Sequence, residues 1–213
     1  MIVFKYKKVY PANLASHVDT LRAIGRTFAR AKIPVEYSQG YNPHWEMYLS
    51  PALSLGVESL CEYVAVKGKR EPAALVRLNA VANLGLEFLT EHEVLSVNLS
   101  AVITKAKYVI SARGIGKYAM LLNGESVTLE YIDKGKQIYK ECRHLIYDAY
   151  QLNEDNLIVV VACGNTNLRA DRVAKYICAK SGIDYNTVSI VKSEMYVSDL
   201  TVEEYIEQLE KIV

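Results

Sequence analysis

The run Tyr37-Ser38-Gln39-Gly40-Tyr41-Asn42-Pro43-His44-Trp45 gathers three stackable rings, an imidazole, two side-chain amides and a hydroxyl. Tyr37, Tyr41 and Trp45 suit stacking on nucleobases, while Gln39, Asn42 and His44 can read base edges or a small polar ligand. Gly40 permits φ > 0, and Pro43 fixes its own φ and pushes Asn42 out of the helical region, so the run is a loop by its chemistry. The alternative is a packed connector with half-buried tyrosines. Directional groups crowded onto one loop favour recognition.

His17 and His44 are the two imidazoles that an acid–base mechanism would use, and they are the only catalytic candidates. Asp19, two residues after His17, invites a His–Asp dyad, but at ~100° per residue the two side chains diverge by roughly 160° on a helix. Ser16 as N-cap with Asp19 three residues on is the structural reading. Along the opposite face Asp19, Arg22, Arg26 and Arg30 recur every three or four residues. Three guanidinium groups without interleaved Glu make a phosphate track, although a solvated helix face has the same pattern. Later, Gly164-Asn165-Thr166-Asn167-Leu168-Arg169 leads from an apolar strand into a helix. Its free backbone N–H groups, with Arg169, form a candidate anion site at Gly164, Asn165, Thr166, Asn167 and Arg169; simple capping by Asn165 or Asn167 is the competing account.

The elements that must position these groups belong to an ordinary folded chain: 213 residues, 51% hydrophobic and 23% charged. A net charge of +1 leaves any attraction to nucleic acid to local patches. Cys61, Cys142, Cys163 and Cys178 show no zinc or iron–sulfur spacing and read as buried thiols, so no cofactor is expected. The alternating N-terminus lacks a signal peptide or membrane span, which places the chain in the cytoplasm, away from membranes.

Residues 2–9 alternate as a strand, and 16–32 form a helix with Val18, Leu21, Ile24, Gly25 and Phe28 inward. Strands at 45–50 and 60–67, a helix at 71–81 and a strand at 86–95 complete the order βαββαβ. The fold class is α+β, with a ferredoxin-like unit followed by a second α+β unit. That second half reads as strands at 106–111, 126–132, 143–151 and 156–162, a Gly-marked segment at 114–122, a helix at 170–179, a strand at 188–197 and an acidic helix at 202–212. Its theme suggests a degenerate duplication of the first without a residue-level repeat. The domains expected are 1–98 and 99–213.

Taken together, Ser16-His17-Val18-Asp19-Thr20-Leu21-Arg22, the stretch from Ile33 through His44, and Pro51-Ala52-Leu53-Ser54-Leu55-Gly56-Val57-Glu58-Ser59 resemble the radical-SAM-linked protein family, a bacterial family of unknown function. The Gly164–Arg169 turn is similar to that family's second signature. The resemblance implies company rather than mechanism: a radical-SAM protein with a cobalamin-binding region as partner, and RNA maturation as context. No catalytic residue is assigned in the family. Trp45-Glu46 stand where relatives carry Pro and a basic residue, which removes one charge from a phosphate path and suits a protein partner at Glu46. The function expected is therefore a binding module that presents RNA, tRNA or rRNA, or another substrate to a radical-SAM enzyme, with Arg22, Arg26, Arg30, Tyr37, Gln39, Tyr41, Asn42 and His44 as ligand-binding residues. The alternatives are a metal-independent RNA-processing enzyme using His17 and His44, and a protein–protein scaffold that binds no nucleic acid.

Overall fold

A computed structural model describes residues 1–212. In chain order the elements are β1 (Ile2–Lys8), α1 (His17–Arg30), β2 (Met47–Leu49), β3 (Glu58–Val66), α2 (Ala74–Val81), β4 (Leu86–Glu93) and α3 (Leu99–Val102). Then come β5 (Lys105–Ser111), β6 (Thr128–Asp133), β7 (Lys136–Glu141), β8 (Ile146–Asn153), β9 (Asn156–Ala162), α4 (Ala170–Ser181), β10 (Ser189–Val197), β11 (Leu200–Thr201) and α5 (Val202–Glu210). Contacts divide the chain into two compact units: Met1–Ile103 together with the segment from Tyr196 on, and Thr104–Met195. No helix among the described residues is long and apolar enough to cross a membrane.

In the first unit the strands lie in the order β4-β1-β3-β2, and each neighbouring pair is antiparallel. This is the ferredoxin-like arrangement, in which each helix returns the chain past an intervening strand. Period-2 alternation puts Ile2, Phe4 and Tyr6 of β1 into one core with Ile24 and Phe28 of α1 and Leu78 of α2. The chain has three phenylalanines, Phe4, Phe28 and Phe88, and all three meet here edge to face at centroid distances of 5.2–6.1 Å.

Ser16 caps α1 by accepting the Asp19 N–H at 3.1 Å, and its hydroxyl donates to the Asp19 carboxylate at 2.7 Å. The inward face of α1 differs from the expectation at one end. Val18 is exposed, while Thr20 and Thr27 are buried beside Ile24 and Phe28. The two threonines can be buried because each hydroxyl donates to the carbonyl four residues back, Ser16 at 2.8 Å and Ala23 at 2.9 Å.

The second unit contains β10-β5-β9-β8 in that order, with β5/β9 and β8/β9 antiparallel. Counting β5, β8, β9 and β10 as first to fourth, the order 4-1-3-2 of the first unit recurs. The segment at 114–122 takes the place of the first helix and is a 3₁₀ helix over Gly116–Leu122. The β6–β7 hairpin is an addition to the pattern. The span 143–151 is not one strand but a 3₁₀ turn, Arg143–Leu145, followed by β8. β7 escaped the sequence reading because Lys136–Glu141 carries no buried alternation to betray it.

At the C-terminus the expected capping box is present: Glu204 N–H donates to the Thr201 hydroxyl and Thr201 N–H to the Glu204 carboxylate. The inward residues of α5 are Val202 and Ile206, with Tyr205 and Leu209 partly covered. Ile212 lies outside the helix and is 69% exposed, so it does not pack inward as the longer expected helix would have had it.

Candidate functional site

The Tyr37–Trp45 segment is a hairpin loop clamped at its root. Tyr37 and Trp45 form a lone antiparallel bridge, the Trp45 indole N–H donates to the Tyr37 hydroxyl at 2.9 Å, and Ser38 N–H donates to the His44 carbonyl at 2.8 Å. The Trp45 ring lies flat on Gly25 of α1, so closely that a Cβ there would fall 2.9 Å from Cδ2 and nearer still to Cε3 and Cζ3. Glycine at position 25 is thus the seat of the loop. Gly40, at φ +146°, needs its missing side chain for backbone conformation instead.

The root uses some of the expected recognition groups internally. His44 Nδ1 lies 2.8 Å from the Ser38 hydroxyl, which also accepts the His44 N–H at 3.1 Å. This pair closes the loop, and Tyr37 is held by Trp45. Beyond the clamp Gln39, Gly40, Tyr41, Asn42 and Pro43 are all exposed, and Tyr41 is 100% exposed. Gln39, Tyr41 and Asn42 have no side-chain partner among the described residues. His17, at the first turn of α1, is exposed.

The arginine stripe of α1 is not uniform. Arg22 sits one turn before Gly25, beside the loop root, and pairs with Asp19 at 3.2 Å on an open surface. Arg26 is exposed without an ion pair among the described residues. Arg30 is committed elsewhere: its guanidinium donates to the Val81 carbonyl at 2.9 Å and the Asn83 amide oxygen at 2.8 Å, tying off the end of α2. All three arginines are exposed, but only Arg22 and Arg26 have guanidinium groups not bound to another element among the described residues.

In the second unit Arg169, the residue before α4, forks onto the Asp171 carboxylate at 3.0 and 2.8 Å. The guanidinium expected to serve an anion at Gly164–Asn167 is thereby held by the helix's own acid. Asn165, Thr166 and Asn167 are exposed, and Arg169, not an Asn, occupies the N-cap position without a side-chain capping bond.

A sequence-family model described as uncharacterised proteins conserved in bacteria (DUF2344) matches residues 1–170. The chain belongs to this family. No protein of curated function matches it. The family match takes in the loop, α1 and the Gly164–Arg169 turn, and it ends as α4 begins.

This member of the family also contains a titratable cluster that the sequence did not disclose. On β4 of the first unit, His92 Nε2 lies 2.9 Å from Glu203 and Nδ1 lies 2.8 Å from Glu210, both acids coming from α5. Thr90 and Tyr63 hydroxyls donate to Glu203 at 2.9 and 3.1 Å, and Lys5 stands 3.5 Å from it. The available signals were Thr90-x-His92, which share a strand face, and Glu203 with Glu210, seven residues apart on one helix face. The hydrogen bond to Glu203, joined by that to Glu210, pushes His92 up to about 9. Burial pushes Glu203 up, but hydrogen bonds from His92 and Thr90 and the charge of Lys5 win and hold it at about 2. An imidazole charged at neutral pH with both nitrogens donating is a tie, not a general base.

That tie makes a pH prediction. His92 contributes fully below its ordinary 6.5 and loses its contribution as pH rises from 6.5 through about 9. Glu203 contributes above its ordinary 4.5 and loses its contribution as pH falls towards 2. The docking of α5 is therefore strongest from pH 4.5 to 6.5. With partial solvent screening discounted, the alkaline limb amounts to about 1–2 kcal/mol. Urea unfolding at pH 6 and pH 9 should show this loss in the parent and not in His92→Gln; an equal loss in both would refute it.

The four cysteines are buried and none is in a disulfide, and burial raises Cys142 and Cys178, which keeps both as thiols. Among the described residues no group of three His, Cys, Asp or Glu side chains is arranged to hold a metal ion.

Proposed function

We propose that the chain is a non-catalytic binding module that holds RNA for a separate radical-SAM enzyme, with the Tyr37–Trp45 loop as its recognition finger. The observation that carries the reading is Tyr41: a fully exposed ring at the tip of a loop whose root is fastened by a bridge, an indole hydrogen bond and a glycine seat. An exposed aromatic on a stiff support pays little ordering entropy when a base stacks on it. Gln39 and Asn42 flank it with amides that have no partner among the described residues, and Arg22 and Arg26 offer cations for phosphate beside the root. The radical-SAM partner rests on the resemblance carried by the 16–22, 33–44 and 51–59 blocks, and Glu46 and the exposed Tyr48 that donates to it offer a surface for that protein.

Filter binding of unfractionated tRNA across a salt series tests the RNA half. Arg26→Ala should flatten the slope of log K against log salt by about one unit. Tyr41→Ala should weaken binding by about 1–3 kcal/mol at every salt concentration. Binding that ignores salt, or variants that bind like the parent, would rule the reading out.

A further inference from the structure

The β6–β7 hairpin of the second unit turns through Lys134-Gly135, both at positive φ (47° and 77°), between the paired Asp133 and Lys136. That two-residue turn matches the twist of the strands and gives a well-formed ribbon. Between the ribbon and α4 lies a cleft of about 840 Å³, lined by Tyr131, Ile132 and Tyr139 from the ribbon and by Lys175, Tyr176 and Lys180 from the helix. Its volume falls within the ~300–1,000 Å³ typical of ligand sites.

The lining has an unusual balance. The Arg172 guanidinium stacks 3.5 Å above the centre of the Tyr131 ring, and Tyr139 is 65% exposed. Lys175 and Lys180 are exposed, and neither they nor Arg172 pairs with an acid among the described residues; the Lys175 ammonium stands 5.1 Å from the centre of the Tyr185 ring. The acid in the cleft, Glu130, is engaged by the Gln137 amide across the ribbon. Rings beside cations that have no acid partner match a ligand that alternates flat bases with phosphates. An acidic peptide would use the lysines and leave the rings idle. A duplex would hide its base faces from them.

We infer that this cleft is a groove for single-stranded nucleic acid, built on residues outside the 16–22, 33–44, 51–59 and 164–169 blocks. The inference rests on the reading of the chain as an RNA-binding module and gives that module a second contact, with the base faces as its target. Tyr139 supplies a stacking platform, the Arg172–Tyr131 pair a second, and Lys175 and Lys180 the phosphate contacts.

The test is fluorescence anisotropy of the intact protein with a 5′-labelled decauridylate. Tyr139→Ala should weaken binding about tenfold. Lys175→Gln with Lys180→Gln should flatten the salt slope by about 1.4 units, since each of the two single-strand phosphate contacts contributes ~0.7. All three side chains are exposed, so the variants should keep the parent's circular dichroism spectrum. Parent-like binding by both variants would overturn the groove, as would a decaglutamate peptide or a duplex RNA that competes as well as the single strand. Arg26→Ala and Tyr41→Ala run alongside. If they alone weaken binding, the groove fails and the loop reading stands. If only the cleft variants do, the groove stands and the loop reading fails. No binding by the parent overturns both.

Discussion

Phe28→Ala is expected to cost the first unit about 3–5 kcal/mol, the largest effect of any single substitution considered. Phe28 is 1% exposed and touches both other phenylalanines of the chain, with ring centroids 5.2 Å from Phe4 and 5.8 Å from Phe88. Truncation removes the transfer energy of the ring and leaves a cavity walled by β1, β4 and α1. These walls cannot collapse, because β1 is paired on both sides, to β3 and to β4. The edge-to-face contacts add to the loss. Urea denaturation followed by far-UV circular dichroism measures it. A loss below about 1 kcal/mol would mean that the three rings do not form the centre of this core.

Gly25→Leu should cost about 2–3 kcal/mol, and even Gly25→Ala should destabilise, reversing the sign expected for a helix interior. Replacing Gly by Ala in a helix normally gains about 1 kcal/mol by reducing backbone entropy in the unfolded chain. Here the added carbon meets the face of the Trp45 ring. Either the helix moves or the indole leaves its seat, and the second outcome breaks its bond to Tyr37. Trp45 is the single tryptophan of the chain, so its emission reports on the loop root alone. Both variants should shift that emission to the red. Unchanged emission with raised stability would show that the loop is not anchored at Gly25. Because the loop tip is spared, a loss of tRNA binding in Gly25→Leu would measure what anchoring contributes to recognition.

The legible parts of the molecule were those written in local patterns. Alternation in β1 and the 3.6-residue period of α1 led to the ferredoxin-like order, and Gly40 with Pro43 marked the loop. The Ser16–Asp19 and Thr201–Glu204 spacings located two caps. What stayed hidden depends on long-range placement. Arg30 reads like Arg22 and Arg26, but the end of α2 stands 51 residues away in the chain and claims it. Gly25 looked like one apolar-face residue among several, and nothing local says that an indole twenty positions later will rest on it. His92 meets acids 111 and 118 residues downstream. β7 is nearly all exposed, so it lacks the burial pattern by which strands are recognised. The Tyr131 and Tyr139 rings line a cleft only because α4 comes to lie against β6.

The tie between β4 and α5 also sets an order of events during synthesis. Strands β1 to β4 and helices α1 to α3 of the first unit leave the ribosome before Thr104, yet Glu203 and Glu210 follow only after the whole of Thr104–Met195. At 5–20 residues per second that interval is on the order of ten seconds, long compared with the folding of a small domain. During it His92, Thr90 and Lys5 have no carboxylate to bind. The unit that begins first is therefore the one completed last, and its closing residues carry the charges that lock it.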